Sequence, residues 1–472
     1  MQERKIYVAG RFTKTVNELV VHNPYDGKVV AKTWLAGKDE LEEAILKGKA
    51  VEKEMRDLPS YKRYEILMQI NHELIMHKEE LALQLAKEAG KPLKFALGEI
   101  ERAAQTFLVA AEESKRLPAE VLSIDWTPAG ESKEGLVKYV PVGLIAGIAP
   151  FNFPLNLAVH KIAPAIASGN PIVLKPARST PLSVLAVAEI LDKTDLPKGA
   201  VSILPMDREA GNQLVTDSRF KKLSFTGSPQ VGWKMKQEAG MKKITLELGG
   251  NAGVIVGESA DIEPAVNKCL TGSFAYSGQV CIHVQRIYVH KSLFDDFVKR
   301  LTQKTSQLKK GRPELPDTDI SSMIDEENAI RVEEWVEEAV SAGAKVLYGG
   351  KRNGTYFMPT ILTNTNQIMK VCGLEVFGPV VSVEPFDDFK KAVSLVNDSD
   401  FGLQAGVFTN LISEMDYAFN SLEVGGVMIN EVPTFRVDHM PYGGVKNSGF
   451  GREGVRYAIM EMMEPRLMVR SR

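Results

Sequence analysis

One cysteine lies in a setting that favours chemistry over packing. Cys281 follows the turn Ser277-Gly278-Gln279-Val280 and does not continue an apolar helix face. Backbone N–H groups of such a turn favour the thiolate form that reacts as a nucleophile. A lone cysteine is more commonly a small buried apolar residue, and Cys269 and Cys372 fit that description better. Cys281 is therefore a candidate nucleophile, with burial as the competing interpretation.

Two further polar residues stand where apolar strands end. Glu247 closes the run KKITLE and is followed by Gly249-Gly250, a setting that raises a carboxyl pKa and suits a general base. A strand-end glutamate paired with a lysine is the structural alternative. Asn152 lies in a charge-free run, where its amide must be hydrogen-bonded, either in a turn or as a donor to an oxyanion. Cysteine, carboxylate and amide at one sheet edge could perform acyl chemistry through a thioester.

Three other positions are typical of ligand binding. Gly227 and Ser228 lie between a strand and a helix, where free N–H groups suit a phosphate, although a plain turn is equally compatible. Lys175 ends another buried strand, where ligands bind in doubly wound sheets. Glu375, in EVFGP, is ambiguous by itself. The chain has no GxGxxG after a strand and no GxxxxGK[ST], so the usual nucleotide fingerprints are absent.

The elements that must position these residues are those of an α/β protein. Short N-terminal strands precede three predicted helices, near residues 41–55, 61–88 and 93–115. Asp39 is the predicted N-cap of the first helix. From Leu136, five strand–helix repeats predict a parallel sheet covered on both faces. A second alternation from about 252 to 449 predicts a second α/β lobe. The segment 117–136 fits neither lobe and predicts a projecting hairpin, and the C-terminal PRLMVRS predicts an edge strand.

Composition excludes several classes of protein. The 472 residues include 58 Lys+Arg and 60 Asp+Glu, a net charge of −2, and 44% are hydrophobic, which is typical of globular chains and not of disordered ones. A general nucleic-acid binder would be basic, so no nucleic-acid partner is expected. The length predicts two to four domains or lobes. Three cysteines without CxxC spacing, and no HExxH, disfavour a disulfide framework or a metal site.

One stretch is long enough to be weighed as a membrane span. Residues 139–160 contain no Asp, Glu, Lys or Arg, but they include Pro141, Pro150 and Pro154. A buried strand, a turn and the next helix fit this run better than a lipid-exposed helix. No apolar signal core follows Met1. The sequence therefore predicts a cytoplasmic protein with no membrane partner.

Six motifs together resemble the aldehyde dehydrogenase superfamily. PFNFP, FTGS, LELGGN, GQVC, EVFGP and MPYGGVKNSGFGREG occur in that family's order and at about its spacing. The resemblance implies an aldehyde dehydrogenase-like α/β fold with a variant Rossmann NAD(P)-binding domain, an α/β catalytic domain and a β oligomerisation arm. We assign these to residues 1–116 with 140–248, to 249–448, and to 117–139 with 449–472. A homodimer or homotetramer is then expected.

The resemblance also implies catalytic roles. Cys281 matches the nucleophile that adds to the aldehyde, giving a thiohemiacetal and, after oxidation, a thioester. Asn152 matches the side-chain donor of the oxyanion hole, beside the Cys281 backbone N–H. Glu247 matches the base that activates water to release the acid.

Cofactor roles follow in the same way. Lys175 matches the residue at the adenine ribose, and Ser228, with Gly227, the contact to the pyrophosphate. Glu375 matches the residue at the nicotinamide ribose, and Phe377 an aromatic beside the nicotinamide. Arg178 stands where the family often has a glutamate; an arginine attracts a 2′-phosphate, which predicts NADP, alone or with NAD. An Arg178 that merely points to solvent is the alternative.

The substrate is expected to be a small hydroxylated or anionic aldehyde. Phe151 replaces a tryptophan common among members that act on fatty and retinal aldehydes, and the loop 432–439 resembles lactaldehyde and semialdehyde dehydrogenases. Arg436 and His283 could hold a carboxylate, phosphate or sulfonate, unless Arg436 is structural. The candidates are lactaldehyde, succinic semialdehyde, glyceraldehyde 3-phosphate and sulfolactaldehyde.

Two other functions were weighed against this one. A CoA-acylating semialdehyde dehydrogenase resembles the same branch but lacks the glutamate base, so Glu247 disfavours it. A non-enzymatic structural or binding protein on this scaffold would be expected to lack Cys281 or Glu247, and both are present.

Overall fold

The computed structural model describes residues 2–471. Its N-terminal quarter contains four short strands and four helices. The strands are β1 (Ile6–Val8), β2 (Arg11–Thr13), β3 (Glu18–His22) and β4 (Val29–Trp34). The helices are α1 (Lys38–Asp57), α2 (Ser60–Met76), α3 (Lys78–Ala89) and α4 (Leu93–Ser114).

Two details of these helices correct the sequence prediction. The single helix expected over 61–88 is two helices that break at His77, because the apolar spacing continues unchanged across the junction and hides it. The N-cap of α1 is Gly37 and not Asp39. The Glu40 carboxylate accepts the Gly37 N–H at 2.7 Å, and this hydrogen bond from the first turn caps the helix at Gly37.

The first large sheet contains the five predicted parallel strands. After the hairpin strands β5 (Ala119–Ser123) and β6 (Lys133–Pro141), strands alternate with helices: β7 (Ile145–Ile148), α5 (Pro154–Ser168), β8 (Ile172–Lys175), α6 (Leu182–Leu191), β9 (Val201–Ile203), α7 (Arg208–Thr216), β10 (Lys222–Thr226), α8 (Pro229–Glu238) and β11 (Lys243–Glu247). The order in space is β9-β8-β7-β10-β11, all parallel. Their carboxyl ends, including Lys175, Thr226 and Glu247, therefore meet at one edge of the sheet.

The second large sheet confirms the second α/β alternation. Its seven strands run β14-β17-β18-β13-β12-β20-β21, and β14 alone is antiparallel to its neighbour. In chain order the elements are β12 (Ala252–Val256), α9 (Ile262–Phe274), β13 (Val284–His290), α10 (Phe294–Thr305), α11 (Glu326–Ser341), β14 (Lys345–Tyr348), β15 (Arg352–Asn353), β16 (Tyr356–Phe357), β17 (Thr360–Thr363), α12 (Lys370–Gly373), β18 (Val380–Phe386), α13 (Phe389–Asn397), β19 (Phe401–Gly402), β20 (Gln404–Phe408), α14 (Ile412–Ser421) and β21 (Gly426–Ile429).

The C-terminal segment divides between the first sheet and a projecting one. It contains β22 (Val445–Lys446), β23 (Gly449–Phe450), α15 (Val455–Glu461) and β24 (Met463–Ser471). β24 pairs along β6, which also pairs with β5, so the predicted hairpin and edge strand form a three-stranded sheet. β23 instead pairs with β11, and α15 packs on α4 and α5. The chain therefore returns to the first sheet before it forms β24, and the domain boundaries stay a prediction.

The charge-free run that was weighed as a membrane span is interior structure. It forms the end of β6, then β7 and the first half of α5, a helix buried along its whole length. Within residues 2–471, no helix is both long and apolar enough to cross a bilayer. Nor do those residues contain a cluster of three or more His, Cys, Asp or Glu that could hold a metal ion.

Candidate active site

The loop between α9 and β13 carries Cys281 and has an unusual backbone. Tyr276, Ser277 and Gly278 have φ values of 48°, 53° and 68°, all in the left-handed region. Non-glycine residues there cost energy and concentrate at functional sites. A Cβ on Gly278 would collide with the Gly378 carbonyl, so the loop passes directly against the EVFGP segment. This turn makes Cys281 part of a cavity wall.

The cavity beside Cys281, here called the cofactor-side cavity, has a volume of about 470 Å³. Cys281 is partly exposed, and its Sγ lies 3.2 Å from the Tyr442 hydroxyl. Burial raises the pKa of the thiol to about 11, and the hydrogen bond to Tyr442 opposes that rise. Cys281 is therefore not the fully buried structural residue of the competing interpretation, whereas Cys269 and Cys372 are buried.

Glu247 lines the same cavity and has no hydrogen-bond partner. Its side chain is 2% exposed, and neither carboxylate oxygen is bonded within the described residues. Burial, followed by the nearby negative charge of Glu453, raises the pKa of Glu247 well above its ordinary value. The buried lysine of this region, Lys161, pairs with Glu453 instead, at 3.0 Å. The structural alternative of a Glu247–lysine pair is therefore not what the structure contains.

A close backbone approach brings the Glu247 and Cys281 segments together. Gly250 follows Glu247 by three residues, and a Cβ there would collide with the Cys281 carbonyl oxygen. Only glycine leaves room for that contact. Among the charges that shift the Cys281 pKa is that of Glu247, so the two groups sense each other electrostatically.

Asn152 completes the group from the loop between β7 and α5. Its Nδ2 donates to the Gln279 carbonyl at 3.0 Å, which ties it to the Cys281 loop. From below, Lys91 Nζ donates to the Asn152 carbonyl at 2.6 Å. Asn152 is therefore buried, fully held, and in the wall of the same cavity as Cys281 and Glu247.

Two residues that sequence reasoning missed hold the Asn152 loop. Lys91 and Glu99 form a fully buried ion pair, and Lys91 Nζ lies 3.8 Å from the centroid of the Phe153 ring. Glu99 Oε1 accepts the N–H groups of Leu155 and Asn156, the first turn of α5. Lys91 lies in the Gly-Lys-Pro break before α4. That break was the only feature of the sequence that could have drawn attention to Lys91.

The far end of the cofactor-side cavity contains the other predicted contacts. Gly227, Ser228, Glu375 and Phe377 all line it, and Ser228 is the N-cap of α8 with no side-chain cap bond. Burial raises the pKa of Glu375 to about 7, although its Oε1 accepts the Gly250 N–H at 2.9 Å. Phe377 has a φ of 46° and meets Phe151 edge-on, with ring centroids 5.8 Å apart.

Three cations gather beyond this cavity, at the end of β8. Lys175 ends the strand, Arg178 is exposed, and Arg208 begins α7. No ion pair or hydrogen bond joins their charged groups to another residue within 2–471. Burial lowers the pKa of Lys175, and the charges of Arg178 and Arg208 lower it further, against Asp207. An unpaired cationic cluster, a free helix N-terminus and a buried carboxylate fit the phosphates and ribose of a dinucleotide.

A second cavity, here called the substrate-side cavity, lies on the other side of the Cys281 loop. Its volume is about 690 Å³, and Val280, Phe153, Tyr276, Arg102 and Arg436 are among its walls. The Arg436 side chain is 6% exposed, and its Nε and one Nη have no hydrogen-bond partner within the described residues. That Nη forms an ion pair with a Glu453 oxygen at 3.6 Å, beyond hydrogen-bonding distance. Arg436 is thus a buried cation with unused donors.

The loop that carries Arg436 is anchored by a second paired network. Asp438 accepts from Arg102 at 2.8 Å and bonds His160 Nε2 at 2.7 Å. Although burial alone would raise it, His160 and Arg102 hold the pKa of Asp438 well below its ordinary value. These three residues come from α4, α5 and the 431–444 loop, and the sequence contained no signal that they meet.

His283 is not part of this arrangement. It lines neither cavity, and its ring interacts with the backbone of Ser273 in α9. Burial lowers the pKa of His283 to about 4, so the imidazole is neutral at physiological pH. The structure therefore brings Arg436, and not His283, to the cavity beside the cysteine.

Comparison with known proteins places the chain in a family. The model of the aldehyde dehydrogenase family matches residues 12–468. A 3-sulfolactaldehyde dehydrogenase from Priestia aryabhattai is 45% identical over 98% of this chain and 97% of its own. Aldehyde dehydrogenase 21 from Physcomitrella patens, solved with the product succinate, superposes with a TM-score of 0.98 at 42% identity, covering 100% and 98% of the two chains. The glyceraldehyde-3-phosphate dehydrogenase GapN from Methanocaldococcus jannaschii, solved with NADP, superposes with a TM-score of 0.92 at 40% identity. The match covers 96% of this chain and 99% of that one.

Proposed function

The chain belongs to the aldehyde dehydrogenase family, and we propose that it oxidises a short anionic aldehyde to the carboxylic acid through Cys281. It is an NAD(P)-dependent oxidoreductase. One observation carries the proposal: Cys281 and its neighbour Val280 line two different cavities. A nucleophile in that position can meet a cofactor bound in one cavity and a substrate bound in the other. Glu247, which has no hydrogen-bond partner within the described residues, lines the first of these cavities.

In the first step Cys281 adds to the aldehyde. Its Sγ electron pair forms a bond to the carbonyl carbon, and the carbonyl oxygen becomes an oxyanion. Asn152 Nδ2 has two hydrogens, of which one is used by Gln279, so the other is free to donate to that oxyanion. The Cys281 backbone N–H supplies the second donor. Asn152 is suited to this role because its loop is held from below by Lys91.

A bound dinucleotide would supply the hydride acceptor that oxidation of the Cys281 thiohemiacetal to a thioester requires. Glu375 is positioned to hold a ribose, because its second carboxylate oxygen is free of the Gly250 bond. Ser228 and the first turn of α8 offer donors to the pyrophosphate, and Phe377 an aromatic wall for the nicotinamide. The cluster of Lys175, Arg178 and Arg208 supports NADP, which carries one more phosphate than NAD.

In the last step Glu247 activates water against the thioester. A carboxylate with a raised pKa takes a proton from water efficiently near neutral pH, and water's oxygen then replaces the sulfur. Cys281 leaves as the thiolate and the acid is released. Because this base is present beside the cysteine, we propose hydrolysis and not transfer to CoA.

Arg436 supports an anionic group on the aldehyde. A buried guanidinium with free donors binds carboxylate, sulfonate or phosphate strongly, because water is excluded. One relative is a 3-sulfolactaldehyde dehydrogenase and another was solved with succinate, so a sulfonate or carboxylate is the group we propose. Arg102 extends the same wall, although Asp438 already neutralises it.

Paired substrates test this assignment. Sulfolactaldehyde and succinic semialdehyde should exceed their neutral counterparts, lactaldehyde and butanal, in kcat/KM followed at 340 nm without CoA. Arg436→Gln should lower kcat/KM about 10- to 100-fold more for the anionic pair than for the neutral pair. Arg300→Gln, in a surface pair with Asp296, is the matched control. Equal losses on both pairs would overturn the anion site.

We also propose that the three-stranded projecting sheet joins copies of the chain. It exposes Val121, Trp126 and Leu467, a set of apolar side chains that a contact between protomers would cover. Light scattering should then give a homodimer or homotetramer, and a monomer would contradict it. The cytoplasmic location stays a prediction.

A further inference from the structure

The hydroxyl of Tyr442 contacts the reacting atom of the enzyme and has no role in the steps above. Tyr442 is held by two backbone hydrogen bonds with Glu453, its N–H to Glu453 O and Glu453 N–H to its own carbonyl. Its ring is 3% exposed and packs with Val280, Ile282 and Leu403. From this fixed position its oxygen lies 3.2 Å from Cys281 Sγ. A tyrosine held this rigidly against a nucleophile is pre-organised for that contact.

The direction of the hydrogen bond depends on the state of the cysteine. In the thiol, either the S–H or the O–H group can donate. In the thiolate the sulfur has no hydrogen, so only the tyrosine can donate. Burial raises the pKa of Tyr442 well above its ordinary value, which favours the protonated phenol as the donor. The bond thus becomes a charge-assisted one in the thiolate, and such bonds are roughly twice as strong as neutral ones.

We propose that Tyr442 is a catalytic residue that stabilises the Cys281 thiolate by donating its hydroxyl hydrogen bond to the sulfur. The inference rests on the proposed function only in taking Cys281 as the nucleophile. In the ionisation the S–H bond breaks, its electron pair stays on sulfur and its proton passes to solvent water. Tyr442 keeps its own proton throughout.

Arg436 adds to the donor strength of this phenol. Its guanidinium carbon lies 3.6 Å from the centroid of the Tyr442 ring, in the geometry of a cation–π contact. A cation against the ring face withdraws electron density and makes the O–H group a better donor. Tyr442 therefore also connects the proposed anion-binding arginine to the nucleophile.

Other charges also face the thiol, and the test must separate them from Tyr442. Burial has the largest effect and raises the thiol pKa; Glu375 and Glu247 raise it further, and Arg436 lowers it. Tyr442→Phe keeps the ring, its packing and the Arg436 contact, and removes one oxygen. A change seen in this variant therefore reports the hydrogen bond and not the surrounding charges.

Alkylation of the full-length, cofactor-free enzyme by iodoacetamide measures thiolate formation without any aldehyde. Between about pH 6 and 10, below the thiol pKa, the inactivation rate is proportional to the fraction of thiolate. With Cys281 labelling verified by mass spectrometry, this rate should be about tenfold lower at a given pH in Tyr442→Phe, which corresponds to a thiol pKa raised by about one unit. The oxidation rate at pH 7 should fall several-fold and recover towards high pH. Tyr288→Phe, which removes another buried phenol hydroxyl from strand β13, should match the wild type.

An inactivation rate that is unchanged across this pH range in a folded Tyr442→Phe enzyme would overturn the proposal. If that variant does not fold, 3-fluorotyrosine placed at position 442 replaces it; this more acidic phenol donates more strongly and should raise the inactivation rate at a given pH, and no change would again refute the role. Failure of the proposed function has a different signature, since it would appear as aldehyde oxidation that survives in Cys281→Ser.

Discussion

The buried charges beneath the Asn152 loop and those around the two cavities differ in one respect. Beneath the loop, Lys91 and Glu99 are both fully buried and bonded to each other and to the backbone. Beside the cysteine, Glu247 and Arg436 are almost as buried, yet both carboxylate oxygens of Glu247 and two nitrogens of Arg436 lack a hydrogen-bond partner. The first region is an interior network, and the second faces open volume.

This difference separates framework from chemistry. A buried charge without a partner costs free energy, so it persists in a folded chain only where a ligand or a reaction uses it. A paired buried charge instead fixes geometry, as Lys91 does for the carbonyl of Asn152. The state of pairing therefore indicates which buried polar residues hold the site and which act in it.

The largest effect is expected from breaking the paired region. Lys91→Met leaves Glu99 buried and uncompensated, and should lower the free energy of unfolding by about 3–5 kcal/mol in urea titrations. Lys53→Met, in an exposed pair with Asp57, should cost less than about 1 kcal/mol. If the two variants were equally stable, the framework role of Lys91 would be refuted.

The main effect of the unpaired carboxylate of Glu247 should be on turnover. Glu247→Gln cannot take a proton from water, so kcat should fall about 10²- to 10³-fold. Acylation does not need this base, so rapid mixing should still show a burst of NAD(P)H close to one per subunit. A variant that is slow from the first turnover would assign Glu247 to an earlier step.

The unpaired cations at the end of β8 should affect the choice of cofactor. Arg178→Glu places a negative charge where we expect the 2′-phosphate, and should lower kcat/KM with NADP about tenfold or more, with a much smaller change with NAD. Steady-state rates with both cofactors measure this. If the ratio of kcat/KM with NADP to kcat/KM with NAD did not change, Arg178 would be a solvent-exposed residue with no part in cofactor binding.

The smallest expected effect is a gain of stability at the unpaired carboxylate. The raised pKa of Glu247 means that the unfolded chain ionises first as pH increases, so the glutamate costs folding stability above the ordinary carboxyl pKa of about 4.3. Glu247→Gln should equal the wild type near pH 4 and exceed it increasingly towards pH 8, by on the order of 1 kcal/mol. Exposed Glu337→Gln is the control, and a gain that shrinks with pH would contradict the burial of an unpaired acid.

Local pattern was sufficient for the sheets and for the residues at their ends. Parallel strands are continuous apolar runs, so β7 to β11 were predicted in number and kind. Residues at the carboxyl ends of such strands meet at one edge, which is why Lys175 and Glu247 could be proposed as site residues from the sequence. The helix break at His77 was missed because apolar spacing is the same on both sides of it.

Contacts between distant segments were not accessible in this way. Tyr442 is 161 positions from Cys281, and Asp438 is 278 positions from His160. The local sequence around a buried polar residue does not indicate whether a distant segment supplies a hydrogen-bond or ion-pair partner for it. His283 is similar: it lies just before β13 begins, and its contact with the backbone of Ser273 in α9 could not be inferred from its closeness to Cys281 in sequence.

The sequence by itself determined the α/β fold, the family and the identity of the residues proposed to react, because these depend on strand periodicity and on short ordered motifs. The tertiary structure alone decided which of the buried charges are paired. Pairing is a property of long-range packing: Lys161 is neutralised by Glu453, 292 positions away, and Glu247 is therefore left as the acid without a partner. Because it has no partner, the buried carboxyl group of Glu247 is a candidate general base.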